Sequence, residues 1–313
     1  MAKDVVRQIL EVKLRGHPIG RHMAYFEMIS MSSMLDDQEK IGGIVDYFPV
    51  SIIRCIEVFF RNCISDLVDA GHPYDENAAE LSKSIKLDYF LMQAVHGKKL
   101  TIGDIIAHAT SLNNISCINN AMTRITGREF IDDVCTVYDR WDVEVRGASV
   151  APIVSDRKAM LGAIERCFEC RHILCHELPN RFSLSWSEVR EFVDAVTTFL
   201  RASEQVMENI IEPGAPLTQA AMTSAAAERV AAANVKIDDL FERLRARMGK
   251  GRFRALGAVQ RKWSKFAEAQ AAFIADEYKG GSIRPQMFYD VAATLLEERI
   301  LWIEEKIKTQ GDL

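Results

Sequence analysis

Residues 170–177 read CRHILCHE, two cysteines and two histidines around an arginine. Three chemistries draw on such a set. Thiolates and imidazoles ligate zinc. A thiolate served by an imidazole base is a nucleophile. An arginine with a histidine near it can hold a phosphate and move a proton beside it.

Cys167, Cys170, His172, Cys175 and His176 are enough ligands for a metal. A structural zinc, however, is normally held by two ligand pairs separated by a loop. Here all five lie on one apparent helix with no second cluster elsewhere. His172 and His176 form one edge of a site at most, and H-E-x-x-H is absent. No metal or other cofactor is expected. The nucleophile fares no better, because Cys175 and His176 are neighbours and point about 100° apart on a helix. Cys167 and Cys175 share an apolar stripe with Ile164, Phe168, Leu174 and Leu178, which suits small buried thiols.

Arg171 lies on or beside that stripe, where a guanidinium needs an anionic partner. His176 ends the helix near Pro179, where the chain turns toward solvent. An imidazole there is able to act as acid or base near neutral pH. An Arg–Glu ion pair with a surface histidine accounts for the same residues. Spacing alone does not decide, since Arg15 to His22, Arg166 to His172 and Arg171 to His176 all place a histidine five to seven positions after an arginine.

The elements that must carry these residues are helical throughout, and no strand alternation is found. In 48–71 the apolar positions 52, 53, 56, 59, 60, 63, 64, 67 and 68 form a helical stripe closed by Gly71. Thr101 and Asp104 form a capping box. Ser155 is placed to cap a helix running to about His176, and Ser185 or Ser187 to start the next. EPGAPLT at 212–218 is the expected linker. Beyond it the pattern predicts helices over 219–249, 252–279 and 286–309, with Gly280 and Gly281 available for positive φ in the last turn. The fold class expected is all-α, in two domains of 1–211 and 219–313.

With that context the 171–176 spacing gains meaning. Arg-x-x-x-x-His late in a helix, a polar residue (His172) after the Arg, then a short loop and an amphipathic helix, resembles the HEPN superfamily. IEVFFRNCISDLV, with Glu57, Arg61 and Asn62, is similar to its first long helix. The resemblance covers about 45–210 and implies a helical bundle acting as a metal-independent endoribonuclease in toxin–antitoxin or antiphage systems. It further implies that His176 works on the 2′-hydroxyl or the leaving oxygen and Arg171 on the scissile phosphate. His172 would be auxiliary, with Glu57, Arg61 and Asn62 as further site candidates. Partners implied are RNA, a second copy completing a composite site, and an antitoxin or trigger protein. The tyrosine of the subgroup silenced by nucleotidyl transfer is absent, Leu178 standing there.

Residues 228–306 resemble the LprI-type domain through Gln260, Trp263 and Phe266, then Gly280-Gly281-Ser282, then Leu295 through Arg299. The disulfide cysteines of that family are missing, no cysteine following Cys175. A plain structural account makes Trp263, Phe266 and Phe273 the core of this unit.

Charge and composition set the remaining bounds. The net charge of −5 conceals a stretch, 243–265, with nine Lys and Arg and no acid. Arg243, Arg245, Arg247, Lys250, Arg252 and Arg254 are the candidate RNA contacts, since clustered cations track phosphate backbones. Seven irregularly spaced cysteines argue for reduced thiols. No apolar run nears the ~20 residues of a membrane span. The N-terminal stretch lacks a secretory h-region, so a cytoplasmic location away from membranes is expected. Residues 72–150 offer no identifiable chemistry.

Overall fold

The computed structural model describes residues 2–15, 20–36, 44–85, 89–97, 99–176 and 184–309. Every regular element among them is helical, beside one isolated antiparallel bridge between Tyr138 and Pro152. The all-α expectation holds. No helix among the described residues is long and apolar enough to cross a membrane. The chain divides into two compact units, Met1–Pro213 and Gly214–Leu313.

The first unit contains α1 (Ala2–Arg15), α2 (His22–Leu35), α3 (Tyr47–Asp69), α4 (Tyr74–Asn77), α5 (Tyr89–His96), α6 (Ile102–Ala109), α7 (Ile115–Thr126), α8 (Phe130–Thr136), α9 (Arg157–His176) and α10 (Trp186–Ile211). All nine positions of the predicted α3 stripe are buried, and so are Phe48 and Cys55. A helix buried on several sides must be covered on several sides. Accordingly α2, α6, α9 and α10 all pack on α3. The Phe60 ring lies 5.9 Å from Phe130 and 5.4 Å from Phe199, which ties α8 and α10 to the hub. Ile118, Met122, Ile125 and Val134 are buried in the same core. Residues 72–150 thus supply part of the wall that holds α3 in place.

Helix ends follow local chemistry. The Thr101–Asp104 capping box opens α6, and Ser185 with Glu188 makes another at α10. Gly71 takes φ 86° just after α3. One cap differs from expectation. Asp156, not Ser155, starts α9, its carboxylate accepting from the Ala159 amide at 2.9 Å. Pro179 and Leu178 lie outside the described residues.

The second unit is α11 (Gln219–Arg247), α12 (Lys250–Ala275) and α13 (Arg284–Thr309). α13 packs against both others, which touch each other only slightly. Ile237, Leu240 and Leu244 of α11 meet Leu296, Ile300, Ile303 and Ile307 of α13 in the core. α12 buries only Ala267, Ala271 and Ala275, four residues apart on one face, and small side chains permit close helix approach. Two expectations are corrected here. Gly280 has positive φ (88°) in the last turn, whereas Gly281 does not. Trp263 packs on the core, but Phe266 and Phe273 are 60% and 76% exposed, because the alanine stripe already fills the α12–α13 contact.

Candidate functional site

The accessible end of α9 gathers the histidines and arginine of the opening motif. Four-residue spacing brings the rings of His172 and His176 to 4.9 Å, tilted at 49° and both exposed. Arg171 is half-buried on the side facing α3, and its Nη2 stands 3.9 Å from Glu57 Oε1. That distance exceeds a hydrogen bond, so the carboxylate balances the guanidinium without gripping it. Of the three Arg-to-His spacings, Arg171 to His176 alone has both members described with weakly engaged side chains. Arg166 pairs along its own helix with Glu169 at 3.3 Å.

Arg61 and Asn62 do not join this group. Arg61 donates to the carbonyl oxygens of Ala107 at 3.2 Å and His108 at 3.4 Å, satisfying the C-terminal end of α6. Asn62 is half-buried on α3. Neither makes a hydrogen bond or ion pair with Arg171, His172 or His176 among the described residues. His108, which sequence inspection passed over, sits beside Arg61. Burial first, and the Arg61 charge second, hold its pKa below the ordinary histidine value.

The thiols sort by burial. Cys167 and Cys170 are buried, and desolvation raises both pKa values above the ordinary thiol range. They are poor nucleophiles at neutral pH. Cys175, expected on the apolar stripe, is exposed, and Cys170 takes the buried place. The shorter helical step from Cys167 to Cys170 keeps that residue on the inward face, while Cys175 falls on the turn that leaves the core. Among the described residues no three His, Cys, Asp or Glu side chains converge to hold a metal.

A second polar group was not foreseen. Arg21 donates through Nε to both oxygens of Glu204, at 2.7 and 3.0 Å, and through Nη1 to Asp66. Its own burial opposes the charged form, but these carboxylates more than offset it and raise the guanidinium pKa. The effect is a clamp joining the start of α2 to α3 and α10.

In the second unit the basic stretch divides by role. Arg247 donates to the Ile307 carbonyl at 3.2 Å and so finishes α13. Arg245 lies 3.6 Å from Glu242. Arg243, Lys250, Arg252 and Arg254 are exposed and have no carboxylate in ion-pair reach among the described residues.

Gln260, Trp263 and Arg299, set apart by their spacing in the sequence, come together between α12 and α13. Arg299 Nε donates to Gln260 Oε1 at 2.9 Å. Its guanidinium carbon lies 4.1 Å from the Trp302 ring centroid and 5.2 Å from that of Trp263. The side chain is 9% exposed, and burial lowers its pKa. This arginine is held by ring faces and an amide, with no carboxylate among the described residues. The cluster lies inside a segment with a known counterpart. Residues 213–303 match the family model for lysozyme inhibitor LprI. The LprI-like segment therefore spans α11, α12 and most of α13, and contains Gln260, Trp263 and Arg299. Comparison with curated proteins and with solved structures finds no match for the chain.

Proposed function

We propose that the N-terminal unit is a metal-independent endoribonuclease of the HEPN type. The observation that supports this best is that Arg171, His172 and His176 share the open end of α9, the two rings 4.9 Å apart and Arg171 only loosely balanced by Glu57. In this mechanism Arg171 leaves the carboxylate and takes the non-bridging oxygens of the scissile phosphate. There it stabilises the charge that builds up in the transition state. His176 accepts the 2′-hydroxyl proton or donates to the leaving 5′-oxygen. His172 assists at the phosphate, and Glu57 keeps Arg171 placed between turnovers. A second copy contributes its own pair to a composite site. The LprI-like unit serves as a regulatory or targeting module, with Arg243, Lys250, Arg252 and Arg254 engaging RNA phosphates. A toxin or antiphage role, switched on by a trigger or restrained by an antitoxin, fits such an activity in the cytoplasm.

The test is cleavage of a structured RNA pool in EDTA by wild type, Arg171→Ala and His176→Ala. Cleavage leaving 2′,3′-cyclic phosphate ends, and lost in both variants, is expected. Equal cleavage by all three, or silence persisting after cell extract is added, overturns the proposal.

The LprI match favours a second reading, a non-catalytic interaction or inhibitor protein in which Arg171 and Glu57 are a plain ion pair. A tight stoichiometric protein partner, captured without RNA turnover, would select it.

A further inference from the structure

α12 carries an apolar seam on the side turned from its own unit. Val259, Phe266 and Phe273 recur every seven residues and are 53%, 60% and 76% exposed. Ala255, Lys262 and Ala269, also exposed, fall between them, so the series alternates steps of four and three. That is the spacing of a coiled-coil seam. The buried face of the helix is the separate stripe of Ala267, Ala271 and Ala275.

Charge along α12 and the 3-10 turn that follows it, Asp276–Tyr278, is polarised as well. Residues 250–265 hold Lys250, Arg252, Arg254, Arg261, Lys262 and Lys265 with no acid, while 266–277 hold Glu268, Asp276 and Glu277 with no base. A polyanion lying along the whole seam would meet those acids at the Phe273 end. A helix of the same sequence running the opposite way meets the opposite charge at both ends.

We infer that α12 pairs antiparallel with α12 of a second copy of this chain, centred on Ser264. In that register each seam position faces a complementary one. Arg252 meets Asp276, Ala255 meets Phe273, Val259 meets Ala269, and Lys262 meets Phe266 of the second copy. Large side chains oppose small ones, as interdigitating layers require. The lysine has an aromatic face to rest on. Parallel pairing would instead set Arg252 on Arg252, Asp276 on Asp276 and Phe266 on Phe266. The seam takes Arg252 from the candidate RNA contacts but uses neither Arg171 nor His176, so its failure would leave the ribonuclease chemistry proposed for those two residues standing.

Sedimentation equilibrium of the full chain over a concentration series tests it. A dimer is expected. Arg252→Glu alone and Asp276→Arg alone should each raise its dissociation constant at least about tenfold through like-charge contact. An equimolar mixture of these two variants should recover wild-type association, because each mixed pair restores opposite charges at both ends. Asp276 also pairs with Arg284 at 2.6 Å within the chain. That exposed pair is worth little, and far-UV circular dichroism controls for its loss. Phe266→Lys, at an exposed site and set against Lys262 of the second copy, should raise the dissociation constant at least as far with the helical spectrum unchanged. A monomer at all concentrations, a dimer indifferent to Arg252→Glu and Phe266→Lys, or no recovery in the mixture overturns the inference.

Discussion

Arg171 on α9 and Glu57 on α3 approach through one nitrogen–oxygen contact of 3.9 Å, with both side chains partly open to water. A loose, solvated pair of this kind contributes about 0–1 kcal/mol. Glu57→Gln should therefore cost less than about 1 kcal/mol in denaturant unfolding. On the ribonuclease proposal it frees Arg171 and lowers KM for RNA. A collapse of kcat matching that of Arg171→Ala would put Glu57 in the chemistry instead.

Gly103 sits where α6 crosses α3. A Cβ there would run into the Ser65 carbonyl oxygen and the Asp69 carboxylate, which accepts from the Gly103 amide at 3.0 Å. Since one obstacle is backbone, the helices must part. Gly103→Ala should destabilise the N-terminal unit by about 1–3 kcal/mol, seen as a lower Tm. An unchanged Tm would show that the crossing has slack.

Asp104 gives the unit a pH dependence of definite sign. Partial burial works against its ionisation, but hydrogen bonds from Lys13 at 2.6 Å and from the Thr101 amide at 2.9 Å outweigh it and depress the pKa. A depressed acid stabilises the fold above its unfolded pKa, about 3.9, and loses that contribution as pH falls through the folded value. Asp104→Asn should thus cost about 1–3 kcal/mol at pH 7. The gap to wild type should close as the medium is acidified below pH ~4. A gap that stays constant would assign the loss to packing.

Arg299 is buried against Trp302 and Trp263, and among the described residues it has no carboxylate and its Nη2 no hydrogen-bond partner. Isosteric replacement of such a charge is often neutral or stabilising. Arg299→Met should leave the Tm of the second unit equal or higher, while Arg299→Ala, which opens a cavity, should cost about 2–5 kcal/mol. Equal losses in both variants would mean that the cation–ring contacts dominate.

The legible and illegible parts of this molecule separate by the range of the interactions that decide them. The α3 stripe, the Thr101–Asp104 box and the closeness of His172 and His176 follow from helical spacing within a few residues. Arg21 could not be placed that way, because Glu204 stands 183 positions away. Nor could Arg61, whose carbonyl partners exist only because α6 ends against α3. Phe266 and Phe273 look like core by type, yet the alanines beside them set the contact distance and leave both rings outside.

The position of α13 between α11 and α12 also orders events in time. On a ribosome α11 and α12 are made first, with little surface in common beyond the Phe241–Phe253 ring contact. The second unit can gain its tertiary structure only after residues 284–309 emerge. A transcript broken before that point would release two long helical segments with their apolar faces bare, a product suited to proteolysis rather than to accumulation.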